Sequence, residues 1–296
     1  MTMTDKKTVL LPNKFRDPYT FEDVINLADA IVRDADCLDL SRISFIEPYS
    51  MLSFLLLGKM YLLKRGIKLK LIRIPLAIHQ YLSRMDFFKT EIFETADSLN
   101  EKMMLKRSSL SKTIIEIVEI PNKERESVKV ITGVIELFRK RASFILKHWF
   151  SDNLVDYFVT VISELCQNIF EHSLESGYLS MQTYSLNNEK IFRLVISDSG
   201  IGIVKSFELN KEIQFDSPAK LIEMALTTPI SSKREYGYGL CQVNSIIERL
   251  NGMIYIRSDN ASLSTLYNKT RSGSYIFYKN SLSPFSGTQI SISLTA

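Results

Sequence analysis

The chain has 296 residues, 45% hydrophobic and 24% charged, which is the composition of an ordinary globular protein with room for two domains. Its net charge of +4 comes from the first 112 residues, where 18 Lys and Arg stand against 14 Asp and Glu, an excess too small to favour nucleic acid as a partner. The longest apolar stretch, residues 51–58, is too short for membrane insertion, and three widely spaced cysteines without metal-ligand spacing indicate a reducing, cytoplasmic setting.

The first third of the chain alternates strand and helix patterns. Three segments of alternating or branched apolar residues predict strands, at residues 8–12, 37–44 and 67–74. Three amphipathic segments predict helices, at residues 20–35, about 49–64 and about 76–85, and Gly66 is expected to end the second of them. This alternation predicts a small sheet with helices packed on it.

Part of this region resembles a known regulatory domain. DLSRISFIEPYSMLSFLLLGKMYLLKRGIKLKLIRIP, residues 39–75, resembles the STAS domain of anti-sigma-factor antagonists, which has a strand, an Asp-Ser-Ser-Gly turn, a helix and a strand after a glycine. Tyr49 stands where that family has its phosphorylated serine, so the usual phosphorylation switch is expected to be missing. Ser50, one position further, is expected to cap the helix. The resemblance implies a docking or regulatory domain at residues 1–95, without chemistry of its own.

The middle of the chain is expected to connect two domains. Residues 96–123 predict a polar connector that contains a strand at residues 113–120. Residues 124–150 then predict a long amphipathic helix, which opens a second domain at residues 124–296.

A helix of the second domain carries the first polar motif. In VTVISELCQNIFEHSL, Glu164 and Asn168 are four residues apart and therefore share one helix face. An Asn amide oxygen is a suitable hard ligand for Mg²⁺ beside phosphate oxygens. A carboxylate one turn earlier could orient or deprotonate a water that attacks a γ-phosphate. An ordinary helix with a solvated polar face would show the same spacing.

The second motif follows a predicted strand at residues 190–197. Asp198 stands at the strand end, where a carboxylate can accept a hydrogen bond from the adenine amino group. Gly200 and Gly202 would let the backbone turn sharply and approach a ligand. A plain turn after a strand accounts for Asp-Ser-Gly equally well.

The third motif, Gly237-Tyr-Gly239-Leu240, precedes an amphipathic run that Asn251-Gly252 is expected to end. Glycines at a helix start expose backbone N–H groups, and the helix dipole favours an anion there. Residues 203–236, between the two glycine motifs, are expected to form a lid over the ligand. Ser231, Ser232, Lys233 and Arg234 stand where a cation could meet a γ-phosphate, although a solvated polar loop is an equal alternative.

Together these motifs resemble the GHKL superfamily of gyrase, chaperone, sensor-kinase and mismatch-repair ATPases, whose Bergerat ATP-binding fold is an α/β sandwich. ELCQNIFEHS resembles the N box, DSGIGI the first glycine box and YGYGLCQV the second. The Gly287-Thr288 pair and the strand after it resemble the closing strand of the family. The chain as a whole is thus predicted to be α/β, with a STAS-like domain followed by this sandwich.

The resemblance implies ATP and Mg²⁺ as cofactors. Glu164 would be the general base, Asn168 the Mg²⁺ ligand and Asp198 the residue that reads adenine. The residues implied to frame the phosphates are Gly200, Gly202, Gly237 and Gly239. The remaining nucleotide contacts are expected from Lys233, Leu240 and Thr288.

The histidines argue against a histidine autokinase. His148 has Trp149 and Phe150 beside it and lacks the acidic neighbour of a phosphoacceptor histidine, so packing near a helix end explains it better. His172, after the N box, is expected to make a structural hydrogen bond.

Three functions stay open. The first is an ATP-Mg²⁺-binding regulatory protein in which nucleotide binding or slow hydrolysis switches the interaction of the first domain or of a partner. The second is a serine/threonine protein kinase of the anti-sigma type, acting on an antagonist-like partner. The third is an interaction module with a degenerate ATP site. A protein partner is expected, and a homodimer is a further alternative.

Overall fold

The computed structural model describes residues 7–13, 15–95, 113–121, 127–146, 153–173, 175–186, 188–209, 213–233, 237–267 and 273–295. The chain divides into two compact units, Met1–Ser111 and Lys112–Ala296. Most of the predicted connector, residues 96–123, lies outside the described residues, so the predicted domain bounds at 95 and 124 stay a prediction.

The first unit is a parallel sheet with helices. Its strands are β1 (Thr8–Leu10), β2 (Cys37–Asp39), β3 (Leu69–Ile72) and β4 (Phe93–Thr95). They pair in the order β1-β2-β3-β4. Its helices are α1 (Pro18–Ile25), α2 (Ala28–Asp34), α3 (Pro48–Arg65) and α4 (Leu76–Arg84). The predicted small sheet with helices is confirmed, and β4 is a strand that the sequence patterns did not indicate.

The single helix predicted at residues 20–35 is wrong, because the chain breaks it into α1 and α2. Asn26 ends α1, and an Asn side chain competes with the backbone hydrogen bonds of a helix. The start of α1 is well defined, since Asp17 and Thr20 form a reciprocal capping box.

The most enclosed element of the first unit is α3, in which every residue from Pro48 to Gly58 is buried. The expectation that Ser50 caps this helix is wrong: the cap position is Glu47, and the Ser50 hydroxyl is buried without a hydrogen-bond partner among the described residues. Gly66 ends the helix as predicted, with φ of 69°. The Tyr49 side chain is 1% exposed, which places it out of reach of a modifying enzyme in this fold.

The second unit is a seven-stranded antiparallel sheet with helices. Its strands are β5 (Ile114–Ile120), β6 (Gly177–Leu186), β7 (Glu189–Asp198), β8 (Met253–Asp259), β9 (Ala261–Tyr267), β10 (Ser274–Lys279) and β11 (Phe285–Thr295). They pair in the order β10-β9-β8-β11-β7-β6-β5. Its helices are α5 (Ser127–Leu146), α6 (Asn153–Asn168), α7 (Gly202–Glu208), α8 (Pro218–Thr227) and α9 (Gly239–Arg249). The α/β sandwich predicted for this part of the chain is confirmed.

Alternate residues of the central strands form the core of this unit with the helices. On β7, Phe192, Leu194 and Ile196 belong to one apolar cluster with the buried face of α6. Phe158 of α6 packs on Phe192 with 4.4 Å between the ring centroids. The polar face of α6, which carries Glu164, is thereby turned away from the sheet centre and toward a cavity.

The lid predicted at residues 203–236 is largely helical. The second of its two helices, α8, is capped by Ser217, whose hydroxyl accepts a hydrogen bond from the Lys220 N–H at 3.3 Å. Leu221 and Ile222 of α8 are fully buried in the core. Because α8 contributes to the core, this helix is not a mobile cover over the cavity.

Candidate functional site

The helix that carries Glu164 and Asn168 ends in a wide turn at the cavity. Residues Ile169–Ser173 continue α6 as a π turn, a feature that is frequent at functional sites. Glu171 and His172 on this turn line the same cavity as Glu164 and Asn168. One continuous piece of helix therefore supplies six polar residues to the cavity wall, with Gln167 and Ser173 beside these four.

Asp198, the last residue of β7, is held from two sides. Its Oδ1 atom accepts a hydrogen bond from the Ser173 hydroxyl at 2.7 Å and another from the Gly200 backbone N–H at 2.8 Å. The Asp198 side chain is 5% exposed and lines the cavity. The π turn is what brings Ser173 to this point, so the end of α6 fixes the orientation of the carboxylate.

Glycines let the backbone segments around Asp198 touch one another. A Cβ atom on Gly200 would overlap the Ser173 carbonyl oxygen, and one on Gly287 would overlap the Asp198 carbonyl oxygen. Gly202 has φ of 75°, and its Cβ would lie 2.8 Å from the Gly287 oxygen. Gly200 does not line the cavity, so its observed role is this packing rather than the framing of phosphates expected from its motif.

The start of α9 faces the polar side of α6. A Cβ atom on Gly239 would lie 2.7 Å from Glu164 Oε2 and 3.7 Å from Asn168 Oδ1. Gly237 is equally close-packed, since its Cβ would lie 2.6 Å from the Ile230 carbonyl oxygen. The first N–H groups of a helix lack partners within the helix and attract anions. The absence of side chains on these glycines keeps that end of α9 accessible.

A cavity of about 330 Å³ opens between these elements, a volume at the lower end of those that bind small ligands. Eight of the ten predicted site residues line it, namely Glu164, Asn168, Asp198, Gly202, Gly237, Gly239, Leu240 and Thr288. Its apolar wall is formed by Leu165, Ile203, Phe207, Ala225, Ile230 and Ile290. A cavity that combines an apolar wall with placed polar groups is typical of a small-ligand pocket.

Of the two predicted cations, the structure describes only Lys233, and it does not stand in the cavity wall. Lys233 is exposed and does not line the cavity; its backbone N–H donates a hydrogen bond to Ser231 Oγ at 3.2 Å. Arg234 lies outside the described residues, as does His148. The two serines before Lys233, Ser231 and Ser232, do line the cavity.

A hydrogen-bonded chain joins the π turn to the segment after α8. The Ser232 hydroxyl lies 3.1 Å from His172 Nδ1 and is also hydrogen-bonded to Ser206 of α7. The Glu171 carboxylate lies 3.9 Å from His172 Nε2 on the other side of the ring. The structural hydrogen bond expected of His172 is thus confirmed. Its partner Ser232 was missed because it stands 60 positions away in the sequence, where no local spacing connects the two residues.

The Glu164 carboxyl group is electrostatically perturbed. Partial burial, and secondarily the negative charge of Glu171, raise the pKa of Glu164 above its usual value. A raised pKa brings a carboxylate closer to the range in which it can take up a proton at neutral pH. The sequence analysis did not single out this second carboxylate, because it used only the four-residue spacing between Glu164 and Asn168.

The polar groups at the α9 end fit a triphosphate with a divalent cation. Asn168 Nδ2 is buried without a hydrogen-bond partner among the described residues, so a donor is available there for a phosphate oxygen. The Asn168 and Glu164 oxygens beside Gly239 are hard ligands of the kind Mg²⁺ prefers. Within the described part of the chain, no group of three or more His, Cys, Asp or Glu side chains is placed to hold a metal ion by itself.

Comparison with known proteins identifies one family. The model of the histidine kinase-, DNA gyrase B- and HSP90-like ATPase family matches residues 154–294, which include every element that lines the cavity. The match supports the GHKL superfamily for this part of the chain and an ATP-binding role for it. A search of curated proteins finds no match. Among the described helices, none is long and apolar enough to cross a membrane.

Proposed function

We propose that residues 154–294 bind ATP together with Mg²⁺ in the 330 Å³ cavity and that the bound nucleotide regulates a protein interaction. One observation carries the proposal. The polar face of α6, the fixed carboxylate of Asp198 and the open start of α9 meet around one apolar-walled cavity. Adenine takes the Asp198 and Thr288 side, and the phosphates take the Asn168 and Gly239 side.

Each residue has a distinct task in this proposal. Asp198, its Oδ1 held by two donors, accepts the hydrogen bond of the adenine amino group. Asn168 binds the phosphates and Mg²⁺, and Mg²⁺ when bound neutralises phosphate charge. Glu164, with its raised pKa, takes a proton from an attacking water. The N–H groups at the start of α9 stabilise negative charge on the phosphates.

The binding step is tested by calorimetric titration of the full chain with ATP and Mg²⁺. Asp198→Asn replaces the negative acceptor, and we expect it to weaken ATP binding about tenfold or more. Asp156→Asn is the matched control, because Asp156 is exposed on α6 and does not line the cavity. No heat of binding for the wild-type chain at millimolar ATP-Mg²⁺ would refute the proposal.

The regulatory part of the proposal concerns the first unit, which we take as a STAS-like docking module. Its parallel sheet with helices and the burial of Tyr49 support a module that is not switched by phosphorylation at that residue. Hydrogen exchange of the full chain with and without ATP-Mg²⁺ tests the switch. Changed protection in residues 7–95 is expected, and unchanged protection there despite bound nucleotide would contradict coupling.

The fate of the γ-phosphate separates hydrolysis from protein phosphorylation. With γ-labelled ATP, release of free phosphate that Glu164→Ala abolishes supports a switch reset by slow hydrolysis. Label that appears on an added antagonist-like protein instead supports the serine/threonine kinase alternative. ATP binding to wild type without either product supports a switch driven by binding alone.

A further inference from the structure

The two edges of the seven-stranded sheet are built differently. At one edge, β5 is irregular between Ile115 and Val118. Arg141 of α5 reaches this edge, donates a hydrogen bond to the Ile114 carbonyl oxygen at 2.9 Å and pairs with Glu116 at 2.6 Å. A bulge and a covering side chain are devices that keep an edge strand from pairing with another chain.

The opposite edge, β10, shows no such irregularity in its described residues. Its register with β9 is regular over all six residues, and the strand ends the described sheet. Five of its six residues are exposed, with Phe277 at 58% and Tyr275 at 42%. The sequence SYIFYK has high strand propensity and a single charge, Lys279, at its end. An edge that is exposed, regular and apolar is a template for strand pairing.

The exposed aromatic side chains lie on one face of the sheet. Ile276 packs toward the helix-covered core, so the alternation of the strand turns Tyr275 and Phe277 to the opposite face. Leu266 of β9, 39% exposed, stands directly beside Tyr275 in the register. Tyr275, Phe277 and Leu266 together form an apolar patch, called here the edge patch, that runs up to the open edge.

We propose that β10 is a homodimer interface, in which it pairs antiparallel with β10 of a second copy of the chain. With the two-fold axis at Ile276, Tyr275 stands opposite Phe277 of the partner subunit, and Phe277 stands opposite Tyr275 of the partner subunit. The two edge patches then become one continuous apolar surface across a fourteen-stranded sheet, twice the seven strands of one copy.

The strand itself favours a second copy over a foreign strand. An aromatic residue flanks Ile276 on each side, Tyr275 before it and Phe277 after it, and both lie on the same face. Aromatic pairs directly across a sheet stabilise the pairing, whereas like charges opposite each other weaken it. Here Lys279 stands opposite Gly273 of the partner subunit, so no charges face each other. Self-complementarity of this kind is what a two-fold interface requires.

This interface is independent of the proposed nucleotide site. No residue of β9 or β10 lines the 330 Å³ cavity. A dimer through β10 therefore leaves the cavity of each copy accessible, and the two proposals can fail separately.

The mass of the intact chain in solution, measured by sedimentation over micromolar concentrations, tests the proposal. Phe277→Lys places two positive charges near the two-fold axis and should raise the dimer dissociation constant at least tenfold while leaving ATP binding unchanged. Leu63→Lys is the control, since Leu63 is 68% exposed and lies in the first unit. A wild-type monomer at every concentration, or a Phe277→Lys dimer as stable as wild type, overturns the proposal.

Cross-linking tests the register and does not depend on how well Phe277→Lys folds. Directly opposite residues of an antiparallel pair have Cβ atoms about 5 Å apart. Phe277 is 58% exposed in the wild-type chain and would stand diagonally opposite the same residue of the partner subunit, with Cβ atoms about 7–8 Å apart. Phe277→Cys should therefore give a covalent dimer with a short bis-maleimide, beyond any background from the native cysteines of the wild-type chain. Ser185→Cys, at an exposed position of β6, should not. Equal cross-linking of both variants, or of neither, overturns the pairing about Ile276.

Discussion

Replacing Gly239 by alanine separates the proposed catalytic geometry from the stability of the fold. The new Cβ atom would lie 2.7 Å from Glu164 Oε2, and no other heavy atom outside the helix and neighbouring residues comes closer than 3.7 Å. The backbone of Gly239 is helical, a conformation that alanine adopts readily. The perturbation is therefore directed at one carboxylate oxygen at the end of a flexible side chain.

The size of the effect follows from these distances. To move from 2.7 Å to ordinary contact at 3.4 Å, Glu164 Oε2 has to shift by about 0.7 Å. A displacement of that order in a catalytic group lowers turnover roughly ten- to a hundredfold. The free energy of unfolding should stay unchanged or rise, because alanine exceeds glycine in helix propensity by about 1 kcal/mol. ATP affinity should change less than turnover, since Glu164 acts on water rather than on adenine.

The assay is steady-state ATP turnover beside thermal unfolding of the same preparations. Gly133→Ala is the matched control, because a Cβ at that helical position meets no atom within 4 Å; it should raise the melting temperature and leave turnover unchanged. Adding Glu164→Ala to Gly239→Ala should cause no loss beyond that of Glu164→Ala alone. Wild-type turnover in Gly239→Ala, or additive losses in the double variant, would refute the role given to Glu164.

Three further predictions concern ionisation, the hydrogen-bonded chain and the thiols. Burial and Glu171 raise the pKa of Glu164, so ionisation of this carboxyl group lowers the stability of the folded state as the pH rises through that pKa. In calorimetric scans, Glu164→Gln should therefore melt at a higher temperature than wild type at pH 7–8, and the difference should vanish near pH 4. Ser232→Ala removes the hydrogen bond to His172, so the free energy of unfolding should fall by about 1 kcal/mol and hydrogen exchange in residues 228–233 should accelerate. The control, Ser245→Ala at an exposed position, should change neither quantity. Burial raises the pKa of Cys166 to about 12 and also raises the pKa of Cys241, which is only half-buried. Ellman's reagent should therefore modify Cys241 slowly in the native chain and should reach the buried Cys37 and Cys166 only after denaturation. Rapid modification of Cys166 in the native chain would contradict its burial.

Local patterns predicted the elements well where one periodicity ran without interruption. The α3 and α9 helices and the β7 strand lie within two residues of their predicted bounds. Prediction failed where a single residue decided the outcome, since Asn26 splits one predicted helix. The predicted end of α9 is confirmed: the helix stops just before Asn251, which has φ of 51°, and Gly252. The Asn251 and Gly252 backbone N–H groups donate hydrogen bonds to the Glu248 and Ile247 carbonyl oxygens and so close α9. Asparagine tolerates the backbone geometry that this requires.

The sequence by itself determined the chemical groups of the site and their order along the chain. Glu164 and Asn168 share a face because the helix period requires it, and Asp198 ends a strand because its alternating pattern stops there. Residues of this kind are found from spacing within one element.

Only the tertiary structure decided which groups meet. The π turn brings Ser173 to Asp198, which is 25 positions further along, and Ser232 reaches His172 across 60 positions. It also decided that Lys233 stands outside the cavity and that α8 belongs to the core. Contacts between distant segments depend on how apolar faces pack together, and that packing depends on the whole chain rather than on any local period.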